Sequence, residues 1–487
     1  MTPAERSAAV RLRQRLGQAW VTARDWVRRY LSDESHLFAL TLLVGVVCGL
    51  VAVAFHLAIR AMEHVLIDRA LGATGALGWG LTIVTPMLGG LAAGAALTFL
   101  APGARGSGIP QVKQAFAFEG GRVRLRDAIG KFIIAAVQIG AGASLGREGP
   151  TAQICAGATS ALARVTALPT KSVRRLLPVG VAAGIAAAFN APIAAVTFTI
   201  EEIVGSLDHA VLSGVVVAAA LAAVIERGIL GVHPVIVVDR AYALDHVSSL
   251  PIFALMGLAA GVISVTFTDS LLKLRAGFST FRLLPRWTHP AVGGLVSGAL
   301  AAVALHVFGT TGVTGGGYDT LTDSLGGKLG FGMLLGLGLA KLVATVFSYS
   351  SGGAGGIFAP SLFIGAMLGG AFGYLDVLVF DHEDLQRGAF ALVGMGAVFA
   401  GVIRAPITSV LIIFEMTGGY GLVLPLMLAN MTSYVVARRL RARPIYEELL
   451  LQDGITLPHA PLVASPLPAG DPGGVVPGRS PGTQPDQ

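Results

Sequence analysis

The chain has 487 residues, of which 54% are hydrophobic and only 13% charged, with 65 glycines and a formal net charge of +7. That balance excludes an ordinary soluble domain and describes a polytopic membrane protein. The positive charge gathers in clusters that flank apolar runs rather than forming a reader surface, so it requires no nucleic-acid partner.

Residues 1–35 are polar and basic. Leu12, Leu16, Trp20, Val27 and Leu31 alternate with arginines, and no short apolar core precedes a small-residue cleavage site. The segment reads as a basic amphipathic helix on the cytoplasmic face, or as an ordinary solvated leader helix, and not as a cleaved signal. The windows His36 to Ile59, Ala76 to Ala104, Leu176 to Ile200, Val247 to Thr268, Thr288 to Tyr318 and Leu342 to Leu375 contain no Asp, Glu, Lys or Arg. A span needs about 20 residues, so the longer windows have room to turn back. Arg164, Lys171, Arg174 and Arg175 lie between apolar runs, and Arg438, Arg439, Arg441 and Arg443 follow the last one. The positive-inside rule then places both termini in the cytoplasm of a multi-pass protein of the cell (inner) membrane. From residue 453 to 487 the chain is rich in Pro and Gly, which reads as a disordered cytoplasmic tail. Cys48 and Cys155 sit in apolar runs and suggest neither a disulfide nor a metal site; no cofactor or metal is expected.

The middle of the chain is duplicated. Ala191-Pro192-Ile193 is followed by Glu201 at the spacing that separates Ala405-Pro406-Ile407 from Glu415, and the sixteen-residue windows ending at these glutamates align without a gap. Glycine-rich breaks repeat as well. Gly106-Ser107-Gly108-Ile109-Pro110 pairs with Gly315-Gly316-Gly317-Tyr318, and Gly146-Arg147-Glu148-Gly149-Pro150 pairs with Gly355-Gly356-Ile357-Phe358-Ala359-Pro360. The expected organisation is two transmembrane repeats, 36–240 and 241–452. Duplicated units with broken helices are the pattern of transporters that bind substrate at mid-membrane, and an odd number of crossings per repeat would make them inverted.

Each break ends with a proline shortly inside a new apolar run, which reads as a helix start. Helix N-termini present free N–H groups and about half a positive charge, so three starts converging at one depth would hold a small anion without a full cation. Such a site binds without trapping. Glu148 is an ionisable group inside one of these breaks, and intramembrane carboxylates mark ion or proton pathways. Isolated glycines such as Gly89, Gly90 and Gly94 read instead as close-packing positions.

On GSGIP, GREGP and GGIFAP, in that order, with Pro444-Ile445-Tyr446 near the end, the chain resembles the CLC family of chloride channels and chloride/proton antiporters over roughly residues 36–452. The resemblance implies an all-α fold of about eighteen membrane-embedded helices in two inverted-topology repeats, assembled as a homodimer in the lipid bilayer with a pore in each subunit. It implies that the Ser107 hydroxyl, the Tyr446 phenol and the backbone N–H groups of Ile357 and Phe358 bind chloride. It also implies that Glu148 is the external gate and that Glu202 relays protons from the cytoplasmic side, which makes chloride/proton exchange the expected function. A passive channel on the same fold is the alternative.

Glu201, with its repeat partner Glu415, reads as structural across the repeat interface. Arg147 would steer anions or snorkel to the interface, Gly149 completes its motif, and Lys131 would attract anions or, as the favoured reading, pair with a carboxylate. The chain departs from the family at Gln111 and Lys113, where relatives carry Glu at one position or the other. Ser107 argues against fluoride and nitrate as main substrates, because those relatives lack this serine. An intramembrane enzyme using Glu148 or Glu201-Glu202 with His246 or His289 lacks a nucleophile–base motif and metal-ligand spacing. A structural scaffold leaves the buried carboxylates unexplained. The apolar stripes Leu212 to Ile225 and Leu426 to Val436 would face either lipid or a second subunit.

Overall fold

A computed structural model describes residues 33–205, 209–231, 236, 242–244, 246–382, 387–418 and 420–458. The basic leader up to residue 32 and the tail beyond residue 458 lie outside the described residues. The first half contains α1 (Asp33–Val65), α2 (Ile67–Leu71), α3 (Gly75–Phe99), α4 (Ile109–Phe118), α5 (Leu125–Gly140), α6 (Glu148–Val165), α7 (Thr170–Phe189), α8 (Pro192–Phe198) and α9 (His209–Leu230). The second contains α10 (Leu250–Thr280), α11 (His289–Phe308), α12 (Tyr318–Leu325), α13 (Phe331–Ser350), α14 (Phe358–Phe380), α15 (Arg387–Ile403), α16 (Pro406–Thr417), α17 (Val423–Leu440) and α18 (Ile445–Gln452).

Among the described residues, 9 helices are long and apolar enough to cross a membrane. The other helices are shorter because prolines and glycines interrupt the apolar runs. Pro110, Pro192 and Pro406 each occupy the first or second position of their helix, where the missing N–H costs nothing. The uncharged window from Leu342 to Leu375 turns out to hold the end of α13, a break at 351–357 and the start of α14.

The duplication is visible in backbone conformation. Gly142 and Gly352 hold φ of +97° and +98°, Gly205 and Gly418 hold +71° and +69°, and the side-chain-bearing Asn190 and Arg404 hold +53° and +68°. Left-handed conformation at a non-glycine residue is uncommon, so its recurrence just before both Ala-Pro-Ile motifs is a structural repeat.

Lipid offers helices no hydrophobic reason to associate, so close approach through small residues supplies the attraction. Helices α3 and α11 show how close: a Cβ on Gly90 would lie 2.1 Å from the Pro290 carbonyl oxygen, and one on Gly294 would lie 2.1 Å from that of Pro86. Cys48 and Cys155 are both free and buried, each thiol donating to the other's carbonyl at 3.6 Å.

Glu201 and Glu415 lock the halves together. The Glu415 carboxylate accepts from the Ile193 and Ala194 N–H groups at 2.9 and 2.7 Å, at the start of α8. Glu201 accepts from the Ile407 and Thr408 N–H groups at 3.2 and 2.9 Å, at the start of α16, and from the Thr408 hydroxyl at 2.7 Å. Each half thus caps a proline-started helix of the other with a carboxylate.

Candidate functional site

The glycine-rich breaks meet inside the protein. Gly146 and Gly356 exchange both backbone N–H···O bonds at 2.7 Å, an isolated antiparallel bridge between the halves. The Gly106 N–H donates to the Gly353 carbonyl at 2.9 Å. A Cβ on Gly149 would come within 2.4 Å of the Ser107 carbonyl oxygen, and one on Gly108 within 2.5 Å of that of Gly149. Gly108 also holds φ of +100°, a region that only glycine enters readily. Glycine at these positions therefore lets the starts of α4, α6 and α14 share one neighbourhood, with their unpaired N–H groups and positive ends.

Around this junction stand the expected anion donors. Ser107 and Tyr446 are fully buried, and neither hydroxyl has a hydrogen-bond partner among the described residues. The Tyr349 phenol lies beside Ser107 without completing a bond of ordinary geometry. Buried polar groups are nearly always paired in proteins, so two orphaned donors in one region mark a place for an acceptor that is not protein. Ile357 and Phe358 open α14 and are buried; the Phe358 ring is wedged among Phe189, Phe198 and Phe399 at centroid distances of 5.6, 5.0 and 5.0 Å.

Glu148 is the first residue of α6 and has no solvent exposure. One carboxylate oxygen accepts a 2.5 Å hydrogen bond from the Tyr318 phenol, and the other has no partner among the described residues. The Arg147 guanidinium donates to the Ala188 carbonyl at 3.2 Å and lies 5.8 Å from the Tyr318 ring centre. It lines a cavity of about 680 Å³ together with Arg60, Glu63, Glu226 and Tyr318.

The expected carboxylate partner of Lys131 is not found among the described residues. Its fully buried ammonium donates instead to the Gly106 carbonyl at 2.6 Å, so it braces the first break from behind. A carbonyl adjoining the glycine turn is a partner that residue type alone does not reveal.

Glu202 lies in a π-helical turn, Thr199–Val204, that follows α8. Such turns are frequent at functional sites, and this one directs the adjacent acids to different tasks. Glu201 reaches the other repeat, whereas Glu202 is buried and accepts from the Lys113 ammonium at 2.7 Å. Tyr446, Glu447 and Glu201 are the other titratable groups within its electrostatic reach.

Motif reading misses three of these residues. Tyr318 enters it only as the end of a repeat match, Lys113 only as a departure from relatives, and Lys341, at the edge of the uncharged window from Leu342 to Leu375, belongs to no motif. The fully buried Lys341 ammonium shares its three N–H donors among four successive carbonyls, Gly312 to Gly315, at 3.1, 3.1, 3.3 and 2.7 Å. The available signal for Tyr318 is a phenol placed directly after three glycines at a helix start.

Apolar spans, helices broken at a shared junction and a buried carboxylate beside orphaned donors define a multi-pass membrane protein of the secondary-transporter class. Residues 89–438 match the family described as voltage gated chloride channel, and the chain belongs to this CLC family. It is 33% identical over 465 residues to the H(+)/Cl(-) exchange transporter ClcA of Vibrio cholerae serotype O1 (strain M66-2), covering 92% of this chain and 96% of the relative. It is 31% identical over 438 residues to ClcA of Salmonella paratyphi B, covering 88% and 91%. The crystal structure of a slow cyanobacterial Cl-/H+ antiporter is similar with a TM-score of 0.78 and 27% identity, over 87% of this chain and 98% of that one. A CLC-type fluoride/proton antiporter shares the fold, with a TM-score of 0.68 and 20% identity over 85% and 97% of the two chains.

Proposed function

We propose that this chain exchanges chloride for protons, with Glu148 as the external gate and Glu202 as the internal proton relay. Ser107, Tyr446 and the amides of Ile357 and Phe358 bind the central chloride. The observation that carries this reading is Tyr446: its unpartnered, buried phenol lies within electrostatic reach of both Glu148 and Glu202. A buried donor near both acids supports one route that passes both. Carboxylate and chloride favour the same positive helix ends, so they compete for one place, and protonation lets Glu148 yield it. The exchange activity named for the bacterial relatives supports the same assignment.

Arg147, held at the cavity wall, raises the local anion concentration, and Gly149 keeps the first two breaks in contact. The chain moves ions and catalyses no covalent reaction: His246 stacks on His382, and His289 hydrogen-bonds the Leu284 carbonyl. The repeats occupy 36–240 and 241–452, and the protein sits in the cell (inner) membrane with both termini in the cytoplasm. It works as a homodimer, for which the stripes Leu212 to Ile225 and Leu426 to Val436 leave the exposed apolar side chains Val216, Val224, Met427 and Met431 available.

The test is reconstitution of the purified protein in liposomes with chloride and proton fluxes recorded together. A chloride gradient is expected to drive protons uphill. Chloride flux without proton movement would instead make the chain a passive channel.

A further inference from the structure

The Glu148 carboxylate is held by a residue on the opposite half. Its Oε1 accepts from the Tyr318 phenol at 2.5 Å, while Oε2 has no partner. Among the described residues, the other charged or titratable groups near it are Arg147 beside it, Lys341 on α13 and Tyr446 on α18, with Glu226 on α9 lying beyond Arg147. A hydrogen bond from a neutral donor to a carboxylate is charge-assisted, and most of that strength disappears when the acid is protonated. The Tyr318 contact is therefore a grip on the carboxylate form of the side chain.

Tyr318 is also built into a braced frame. It is the first residue of α12, directly after Gly315-Gly316-Gly317, and it borders the 680 Å³ cavity. Gly317 holds φ of +76°, and a Cβ there would lie 2.4 Å from the Gly312 carbonyl oxygen. The Lys341 ammonium gathers the carbonyls of Gly312 to Gly315, and the Gly315 N–H donates to the Ala143 carbonyl at 3.2 Å. Ala143 lies just before the break that carries Glu148. The two ends of the Tyr318–Glu148 bond are thus fixed to one framework, so the bond has a set length and direction.

We propose that Tyr318 is the latch of the Glu148 gate: its phenol holds the carboxylate in place and releases it on protonation, setting how much acid is needed to open the route. This rests on the gate reading of Glu148 and adds the residue that tunes it. Tyr318 acts through Glu148 and is a positioning residue.

The experiment uses the full-length protein in liposomes and compares Tyr318→Phe, Glu148→Gln and the double variant by chloride and proton flux from pH 4 to 8. Phenylalanine keeps the ring and removes only the donor. Loss of this one charge-assisted donor should raise chloride turnover at neutral pH roughly tenfold in Tyr318→Phe and move the flux-versus-pH curve up by about one pH unit. Glu148→Gln should flatten the curve, and the double variant should match Glu148→Gln, because no carboxylate remains to be held. If Tyr318→Phe keeps the parental curve while Glu148→Gln is flat, the latch is wrong and the gate stands. A slower Tyr318→Phe with an unmoved curve also overturns the latch, leaving Tyr318 a packing residue. A Glu148→Gln variant with the parental pH dependence would remove the gate reading and the latch with it.

Discussion

The Lys113 ammonium stands 2.7 Å from the Glu202 carboxylate, and both side chains are at least nine-tenths buried. Neither charge is affordable alone at that depth. Removing one partner of a buried pair typically costs about 3–5 kcal/mol, because the survivor is left uncompensated. Lys113→Met should therefore lower thermal stability in detergent by that order, and Lys113→Met/Glu202→Gln should recover most of the loss. Additive losses in a melting series would show that the pair is not coupled.

The two acids are expected to fail differently. Glu148→Gln should leave chloride flux running without proton coupling, whereas Glu202→Gln should spare chloride flux and stop proton movement. Simultaneous flux recording distinguishes them, and persistent proton coupling in either variant removes that residue from its assigned role.

Glu201 and Glu415 should prove structural. Each caps a helix start in the other half. Ala at either position should cost about 1–3 kcal/mol by stranding backbone N–H groups, and the chloride-to-proton ratio of surviving protein should be unchanged. A changed ratio would place them in the transport route.

Among the described residues Lys341 faces four carbonyls and no paired carboxylate. Lys341→Met should destabilise by ~3 kcal/mol or more, since buried acceptors lose a charged donor. Hydrogen exchange should quicken first across residues 312–318. Uniform loosening of the whole protein would argue against a local brace.

Gly149→Ala should abolish measurable chloride binding by calorimetry, because its Cβ would sit 2.4 Å from the Ser107 carbonyl oxygen and push the breaks apart. Gly228→Ala is the control. It lies in α9 with nothing within 4 Å of an added Cβ, and the greater helix propensity of alanine should make it neutral or stabilising by up to ~1 kcal/mol. Retained chloride binding in Gly149→Ala would mean that the breaks tolerate separation.

The spans, the breaks and the repeat are legible because each is written in local chemistry. Charge-free runs read as spans, proline after glycine reads as a helix start, and Ala-Pro-Ile with its trailing glutamate reads as a duplication. The role of Glu201 was accessible for the same reason, through its repeat partner. Lys131 was not: its residue type suggests a carboxylate, and its actual partner is the Gly106 carbonyl.

By itself the sequence determined the helical membrane class, the repeat and the acids and hydroxyls proposed for the route, since burial of charge in an apolar chain is costly wherever it occurs. Tertiary structure alone decided the partners. Tyr318 meets Glu148 across 170 residues of chain, Lys113 meets Glu202 across 89, and Gly146 bridges Gly356 between the halves. Hydrogen bonds and ion pairs depend on distances of a few ångströms, and those distances are fixed by how the helices pack, which no local pattern encodes.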